Sequence, residues 1–240
     1  MQNLGETRTT YQRDHALLTP DSFVRAPMPG MKGATAIVHA APATGAGFTQ
    51  YTAEFEGRGA LGPTAGQRFV YVIEGVVTVE FSGKKRRLEK DGYAYLPAGA
   101  KHRIAASGAA RAVVIEKPYQ PLRGVKAPRP LTGDERAIAG KSLMGDDALE
   151  VRTLIPADPA FDLAVNTMTF APGASLPMVE CHVMEHGLLM LDGGGVYRLG
   201  ERWYPVAAGD FIWMAPYCPQ WFGALGKTPA RYLIYKDWNR

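Results

Sequence analysis

The amino-acid sequence predicts an all-β protein built from one barrel-like unit that occurs twice. Turn-forming residues are frequent, with 27 Gly and 18 Pro among 240 residues, a composition typical of many short strands joined by turns. Runs rich in β-branched and aromatic residues are bounded by Gly and Pro, as strands are. The same layout of strands and turns recurs in the second half of the chain, and such internal repetition indicates a duplicated domain.

The two series of predicted strands align without a gap from about residue 62 to residue 102. A constant offset of 118 pairs Gly75 with Gly193 and His102 with Gln220. Both halves then contain a strand, a glycine turn, a second strand, a hairpin, a further strand and a short loop. Few or no long helices are expected, because period-two alternation dominates throughout.

Composition between the two halves predicts the domain boundaries. Prolines with scattered Arg and Lys over residues 119–130 are typical of an extended linker, and residues 133–143 are long enough for a short helix. We therefore predict an N-terminal extension over 1–35, a first barrel over 36–118, a linker over 119–145 and a second barrel over 146–240.

Charge and composition favour a soluble, cytoplasmic protein that binds a small molecule. The net charge of +4 is too small to indicate a nucleic-acid partner, and we expect no membrane span or signal segment. Two cysteines do not indicate a disulfide framework. The basic run at residues 84–87 is expected to be a solvated hairpin flank. Exposed sheet edges would favour a homo-oligomer.

Candidate metal ligands are concentrated in one segment of the second half. Side chains of an extended chain alternate between two faces, so Glu180, His182 and His186 share one parity and point into the predicted barrel. Gln220, at the start of a later strand, is expected to return to the same place. The chain has only five His, and two of them next to an acid indicate a metal site more strongly than isolated structural histidines.

The first half lacks this set of ligands. The offset of 118 maps Glu180, His182 and His186 onto Gly62, Thr64 and Arg68, and only His102 remains as a ligand-type residue. One imidazole and one guanidinium cannot hold a divalent cation. We therefore predict that the first barrel has no complete metal site.

A rival interpretation takes residues 182–186 as the H-x-x-E-H motif of inverted zinc proteases. That mechanism needs a helix with both histidines on one face and Glu185 as the base. Gly187 follows at once and Pro177 lies upstream, so a helix of adequate length does not fit. Glu185 is then expected to face away from the metal and to have no catalytic role.

The two cysteines are weaker candidates. Cys181 has the outward parity and is predicted to be a small core residue. Cys218 lies two residues before Gln220, which leaves sulfur ligation, and with it zinc, as a minor alternative.

The ligand pattern resembles that of the cupin family. Cupins usually have a first motif in which His-x-His is followed, after three or four residues, by Glu, and a second motif that contains a further His. Here Glu180 occupies the position of the first His, His186 that of the Glu and Gln220 that of the last His. This permuted set is similar to the ureidoglycine aminohydrolase family. The similarity extends to residues 15–21 and 232–240, and so covers nearly the whole chain.

The resemblance implies two tandem cupin domains, each a double-stranded β-helix or jelly roll. It implies a Mn(II)-dependent enzyme of allantoin and purine breakdown, which hydrolyses (S)-ureidoglycine to (S)-ureidoglycolate and ammonia. It also implies that Tyr197, Tyr232 and Lys236 bind substrate. The residues themselves give partial support: Tyr232 and Lys236 share one strand face, and Lys236 could neutralise a carboxylate or move a proton. Taken without the resemblance, a core tyrosine and a solvated lysine are the favoured interpretation; with it, both residues are expected to be catalytic.

The ligand chemistry leaves alternatives open. Two imidazoles, a carboxylate and an amide oxygen suit Mn(II), Fe(II) or Ni(II) better than a closed structural zinc site. Another bicupin metalloenzyme, such as an Fe(II) dioxygenase or an isomerase, is the second hypothesis. A non-enzymic cupin that binds a small molecule is the third.

Overall fold

The computed structural model describes residues 6–237. Within that range the regular structure consists of strands and three single-turn 3₁₀ helices, Pro20–Ser22, Pro42–Thr44 and Glu135–Ala137, which confirms the predicted all-β class. No helix among the described residues is both long and apolar enough to cross a membrane. The strands, in chain order, are β1 (Thr10–Tyr11), β2 (His15–Leu18), β3 (Lys32–Ala40), β4 (Thr49–Ala60), β5 (Gln67–Gly75), β6 (Val77–Phe81), β7 (Lys84–Leu88), β8 (Gly92–Leu96), β9 (His102–Ala106), β10 (Ala110–Lys117), β11 (Leu131–Asp134), β12 (Lys141–Leu143), β13 (Asp146–Thr153), β14 (Leu163–Phe170), β15 (His186–Asp192), β16 (Gly194–Leu199), β17 (Arg202–Ala207), β18 (Phe211–Met214), β19 (Gln220–Ala224) and β20 (Ala230–Asp237).

The chain divides into two compact units, and each is discontinuous in sequence. The N-terminal barrel comprises residues 24–138 and 157–162. The C-terminal barrel comprises 139–156, 163 onward and the described residues up to Phe23. The boundaries that the sequence predicted for contiguous domains stay a prediction.

The N-terminal barrel is one antiparallel sheet. Its strand order is β11-β8-β5-β10-β4-β9-β6-β7, with β3 paired to β4. Inward-facing side chains alternate along these strands, so that Val70 and Val72 of β5 pack with Ala112 and Val114 of β10 in one buried cluster. Residues 67–72 of β5 are buried on both faces, so the alternation in this strand separates two buried faces rather than a core face from a solvent face.

The C-terminal barrel contains an eight-stranded sheet, β1-β2-β18-β15-β20-β14-β13-β12, and a three-stranded sheet, β17-β16-β19. The short apolar run Ala16–Leu17–Leu18 belongs to β2 and pairs with β18, so that His15 lies opposite Met214. Aromatic side chains fill one end of the interior; Phe170 packs edge to face on Phe222 with ring centroids 4.9 Å apart.

The predicted repeat is present in the backbone as well as in the sequence. Gly75 and Gly193 both have positive φ. A Cβ atom would lie 2.3 Å from the Ala109 carbonyl oxygen at Gly75 and 2.5 Å from the Pro229 carbonyl oxygen at Gly193. Only glycine tolerates both conditions. Left-handed φ angles occur at four pairs of positions separated by the same 118 residues: 75 and 193, 82 and 200, 91 and 209, 99 and 217.

Two local expectations differ from the structure. Residues 133–143 contain no α-helix; a single 3₁₀ turn, Glu135–Ala137, lies between two short strands. Asp134 caps the start of this turn through the Arg136 backbone N–H, and the chain is extended again at Ile138, with φ −92° and ψ 125°. The segment that contains Glu180 and His182 is not a continuous strand either. Glu180 forms an isolated bridge, and β15 begins only at His186.

Candidate metal centre

One cavity of about 340 Å³ lies inside the C-terminal barrel. Strands β14, β15 and β20 form one wall, and the loop before β15 forms another. Every site residue that the sequence predicted lines this cavity: Glu180, His182, His186, Tyr197, Gln220, Tyr232 and Lys236. The structure therefore brings together residues that lie up to 56 positions apart.

Glu180 and Gln220 are held side by side by the backbone. Each donates its backbone N–H to the carbonyl oxygen of the other, at 2.8 Å in both directions. This two-bond pairing is the hydrogen-bonded pair of an antiparallel ladder, so the carboxylate and the amide project from adjacent backbone positions. Tyr197 donates its hydroxyl to Oε1 of Gln220 at 3.3 Å, which orients the amide.

His182 is placed by a strained turn. The backbone N–H of Tyr217 donates to the carbonyl oxygen of His182 at 2.6 Å, and Tyr217 has a left-handed φ of 64°, a conformation that costs energy for a residue with a large side chain. Nε2 of His182 lies 3.1 Å from a carboxylate oxygen of Glu180. The ring of His182 meets that of His186 edge to face, with centroids 5.3 Å apart.

His186 has the strongest signature of a ligand. It is 2% exposed, and its Nε2 is buried with no hydrogen-bond partner among the described residues. Burial, together with the positive charges of Lys236 and His182, lowers the pKa of His186 to about 3. The imidazole is therefore neutral at physiological pH, and its unpaired nitrogen fits a cation bound in the cavity, since a buried polar atom left without a partner costs about 1–3 kcal/mol.

Lys236 lies directly opposite His186 on the neighbouring strand β20. Burial lowers the pKa of Lys236, and the negative charge of Glu180 opposes that effect. Tyr232 lies four residues before Lys236 on the same face of β20, where its hydroxyl donates a hydrogen bond to the Met168 sulfur at 3.3 Å. Burial raises the pKa of Tyr232 and of Tyr197, so both hydroxyls keep their protons.

Sequence reasoning missed four polar side chains that also line the cavity: Lys141, Ser142, Thr153 and Asn166. They lie on β12, β13 and β14. A polar residue that alternates with apolar ones in a strand usually faces solvent. Nothing in the sequence distinguishes such a residue from one that faces an internal cavity.

The residues that the sequence set aside lie outside the cavity. Glu185 is buried and accepts a hydrogen bond from Nε1 of Trp213 at 3.1 Å, which agrees with the expectation that it does not face a metal. Cys181 was predicted to be a core residue, and this is wrong: it is exposed, because its segment is a loop without strand parity.

Cys218 faces a different cluster, in which ligand-type atoms of Asp14, His15 and Cys218 lie within 4.8 Å of one another. His15 contacts Asp14 through Nδ1 and the Tyr204 hydroxyl through Nε2, each at 2.8 Å. Both ring nitrogens thus have partners, and burial raises the pKa of the Cys218 thiol to about 12. This arrangement needs no ion to satisfy its polar atoms.

The equivalent place in the N-terminal barrel contains a guanidinium. Arg68, which the repeat aligns with His186, is 2% exposed and donates to Oε1 of Glu116 through Nε at 2.8 Å. Its other nitrogens reach Nε2 of His102 at 3.0 Å and the carbonyl oxygen of Gly62 at 2.9 Å. The positive charge that a metal would supply is already present in this barrel.

Comparison with known families supports the duplicated architecture. The cupin domain family matches residues 58–116 and 166–235, one segment in each barrel. Among solved structures, a putative glyoxylate induced protein from Pseudomonas aeruginosa is similar with a TM-score of 0.89 and 30% sequence identity, over 98% of this chain and 92% of that one.

Curated relatives are similar over nearly the full chain. The (S)-ureidoglycine aminohydrolase of Arabidopsis thaliana is 42% identical over 98% of this chain and 80% of its own length. The (S)-ureidoglycine aminohydrolase of Escherichia coli strain K12 is 34% identical over 94% of this chain and 88% of its own length.

Proposed function

The chain belongs to the (S)-ureidoglycine aminohydrolase family of bicupin proteins, and from that premise we propose that it hydrolyses (S)-ureidoglycine to (S)-ureidoglycolate and ammonia. The reaction would take place in the cavity of the C-terminal barrel. It would belong to allantoin and purine degradation, in the cytoplasm.

One observation carries the proposal. Seven residues with metal-binding or substrate-binding chemistry converge on a single cavity, and within it Nε2 of His186 is buried without a partner. A storage or scaffold protein would have no reason to retain that unpaired nitrogen. A cation in the cavity would satisfy it.

We propose that Glu180, His182, His186 and Gln220 hold Mn(II). Their donors are one carboxylate oxygen, two imidazole nitrogens and one amide oxygen, a mixed set that suits Mn(II) better than the thiolate-rich sets of structural zinc. When bound, the ion supplies Lewis-acid polarisation of the substrate and fixes its orientation.

The chain's own residues would position the substrate and move protons. The C–N bond to the amine breaks with its electron pair going to nitrogen, water oxygen forms the new C–O bond, and the proton released by water completes ammonia. Lys236, opposite His186 and with a lowered pKa, would relay that proton or neutralise the substrate carboxylate. Tyr197, whose hydroxyl proton is donated to Gln220, would accept a hydrogen bond from a substrate N–H. Tyr232, which also keeps its proton, would exchange its contact with Met168 for a hydrogen bond to a substrate oxygen.

The test is ammonia release from ureidoglycine generated in situ from allantoate. Apo-protein would be reloaded with Mn(II), Fe(II), Ni(II) or Zn(II), and we expect the highest rate with Mn(II). His186→Ala and Glu180→Ala should each lose nearly all activity and most of the bound metal, measured by elemental analysis.

A matched control exists in the other barrel. His102 occupies the repeat position of Gln220, and His102→Gln preserves an acceptor for Arg68, so this variant should keep wild-type turnover and metal content. Oxygen consumption without ammonia release would favour the Fe(II) dioxygenase alternative. Full turnover in a folded His186→Ala variant would contradict the site assignment.

We also propose a homo-oligomer. Large apolar side chains are exposed around the ligand loop, among them Met178 at 57% and Tyr217 at 65%. Contiguous exposed apolar surface often marks an interface. Sedimentation velocity would detect the assembly, and a purely monomeric species at micromolar concentration would contradict it.

A further inference from the structure

The cavity is lined by one side-chain amide, that of Asn166, to which the proposed mechanism assigns no role. Asn166, on β14, is half-buried and lines the cavity. In the described part of the chain no hydrogen bond engages its side-chain amide. A primary amide in a cavity can make two donor and two acceptor contacts, so Asn166 is available to a ligand.

The strand register places Asn166 at a useful distance from the predicted reaction centre. On β14, Asn166 lies opposite Ile234 of β20, and Ala164 lies opposite Lys236. Asn166 and Lys236 are therefore diagonal neighbours on one face of the sheet, about 7–8 Å apart at the backbone by ordinary strand geometry. His186 lies on the far side of Lys236, in register with it. Along the sheet, Lys236 thus lies between Asn166 and the predicted metal ligand His186.

This separation matches a small molecule with two different ends. Ureidoglycine has a carboxylate and an amine on one carbon, which suit the cation and Lys236. Its other end is an uncharged ureido group with N–H donors and a carbonyl acceptor. The ureido group needs an uncharged partner with both donor and acceptor, and an Asn amide can form a paired N–H···O=C contact with it.

Several other polar groups in the cavity already have partners. The amide oxygen of Gln220 accepts from Tyr197, Glu180 contacts His182, and Ser142 hydrogen-bonds Asp147. Thr153 lies opposite Asn166 on β13 and also lines the cavity, but it is exposed. Asn166 is therefore the best candidate for a specific contact at this end of the cavity.

We propose that Asn166 recognises the ureido group and so selects ureides over other amino acids and hydroxy acids. This inference rests on the proposed function for the identity of the substrate. It assigns to Asn166 a role in binding and specificity rather than in the chemical step. In a site built to hydrogen-bond a ligand group, ligands that lack the group leave buried polar atoms unpaired, which is a strong source of discrimination.

The experiment measures ligand affinity instead of turnover. Mn(II)-loaded wild type, Asn166→Leu and Asn166→Ala would be titrated by calorimetry with N-carbamoylglycine, which has the carboxylate and ureido groups, and with glycolate, which lacks the ureido group. We expect the variants to bind N-carbamoylglycine about 10- to 100-fold more weakly, the effect of leaving one or two hydrogen-bonding groups unpaired, and glycolate within about twofold of wild type. Thr169→Ala, a half-buried residue of the same strand that does not line the cavity, is the control and should change neither affinity.

The outcomes separate this inference from the proposed function. Equal losses for both ligands at unchanged metal content, or no loss for either, would overturn the role of Asn166. Wild type that releases no ammonia but binds N-carbamoylglycine in an Asn166-dependent manner would refute the aminohydrolase and leave the ureide site standing. Ammonia release with an unchanged KM in Asn166→Leu would refute the inference and leave the enzyme standing.

Discussion

Replacement of Arg68 by methionine is expected to destabilise the N-terminal barrel by about 3 kcal/mol. The guanidinium bridges Glu116, His102 and the carbonyl oxygen of Gly62. Methionine fills much of the same volume but removes all of the positive charge. Glu116 would then remain as a carboxylate inside the barrel with only the Tyr51 hydroxyl, at 3.0 Å, as a donor.

The magnitude follows from burial. Loss of one partner from a buried ion pair costs about 3–5 kcal/mol, because the other charge is left uncompensated. The side chain of Arg68 is 3% exposed and that of Glu116 is 16% exposed, so the lower end of that range applies. Arg87, in the same barrel, contacts Glu89 at 3.3 Å with side chains 69% and 59% exposed. Arg87→Met should therefore cost less than about 1 kcal/mol.

Urea unfolding followed by far-ultraviolet circular dichroism measures the effect. All four tryptophans lie at position 203 or later, in the C-terminal half, so fluorescence alone would not report on the N-terminal barrel. The double variant Arg68→Met/Glu116→Leu removes both charges and should be more stable than Arg68→Met alone. A cost below about 1 kcal/mol for Arg68→Met, or a double variant less stable than the single one, would refute the interpretation of Arg68 as an internal replacement for a metal ion.

Three further predictions concern metal, pH and thiol chemistry. Mn(II) at 100 times its dissociation constant should raise the unfolding free energy of wild type by about 2.7 kcal/mol and leave His186→Ala unchanged, as measured by urea unfolding; equal stabilisation of both would place the ion elsewhere. Burial lowers the pKa of His39 to about 3, below the value of about 6.5 in the unfolded chain, so the unfolded state takes up a proton first and stability is lost as pH falls between these values, by up to about 1.4 kcal/mol per pH unit. His39→Gln, which keeps a partner for Thr52, should show a pH dependence flatter by that amount in urea titrations at pH 7, 5 and 4, and an unchanged slope would contradict the assignment. Native protein treated with iodoacetamide at neutral pH should gain one adduct by mass spectrometry, at exposed Cys181, because burial raises the pKa of Cys218 to about 12; an adduct on folded Cys181→Ser would contradict this.

The repeat explains why so much of the fold and of the site could be predicted from one sequence. Left-handed turns need glycine or a tolerated substitute at fixed positions, so the backbone constraint itself is visible as an offset of 118. The same offset, together with the second cupin motif, drew attention to Gln220, which lines the cavity. Parity predicted that His182 and His186 share one face, and both line the cavity although residues 181–185 are a loop, because the loop rejoins β15 with His186 on the inner face.

The features that were missed depend on contacts distant in sequence. From the sequence alone, Asn166 is an ordinary polar strand residue that would be expected to face solvent. Only the pairing of β14 with β20 shows that it lines a cavity. The four residues of β2 bury completely against a strand almost 200 positions later. Cys181 was assigned to the core by an alternation that its segment does not have. Local periodicity determines the face of a strand but not what covers that face.

The two barrels solve the same electrostatic problem in opposite ways at one cross-strand pair of positions. In the N-terminal barrel, Arg68 lies opposite Glu116, and the pair is internally neutral with every nitrogen engaged. In the C-terminal barrel the equivalent pair is His186 and Lys236. The carboxylate is here supplied by Glu180 in the loop before β15, and Nε2 of His186 has no hydrogen-bond partner among the described residues. A neutral imidazole beside a carboxylate can accept an external cation, whereas a guanidinium bound to its own carboxylate cannot. Duplication followed by exchange of charges at this pair would thus be sufficient to give one barrel a structural interior and the other a reactive one.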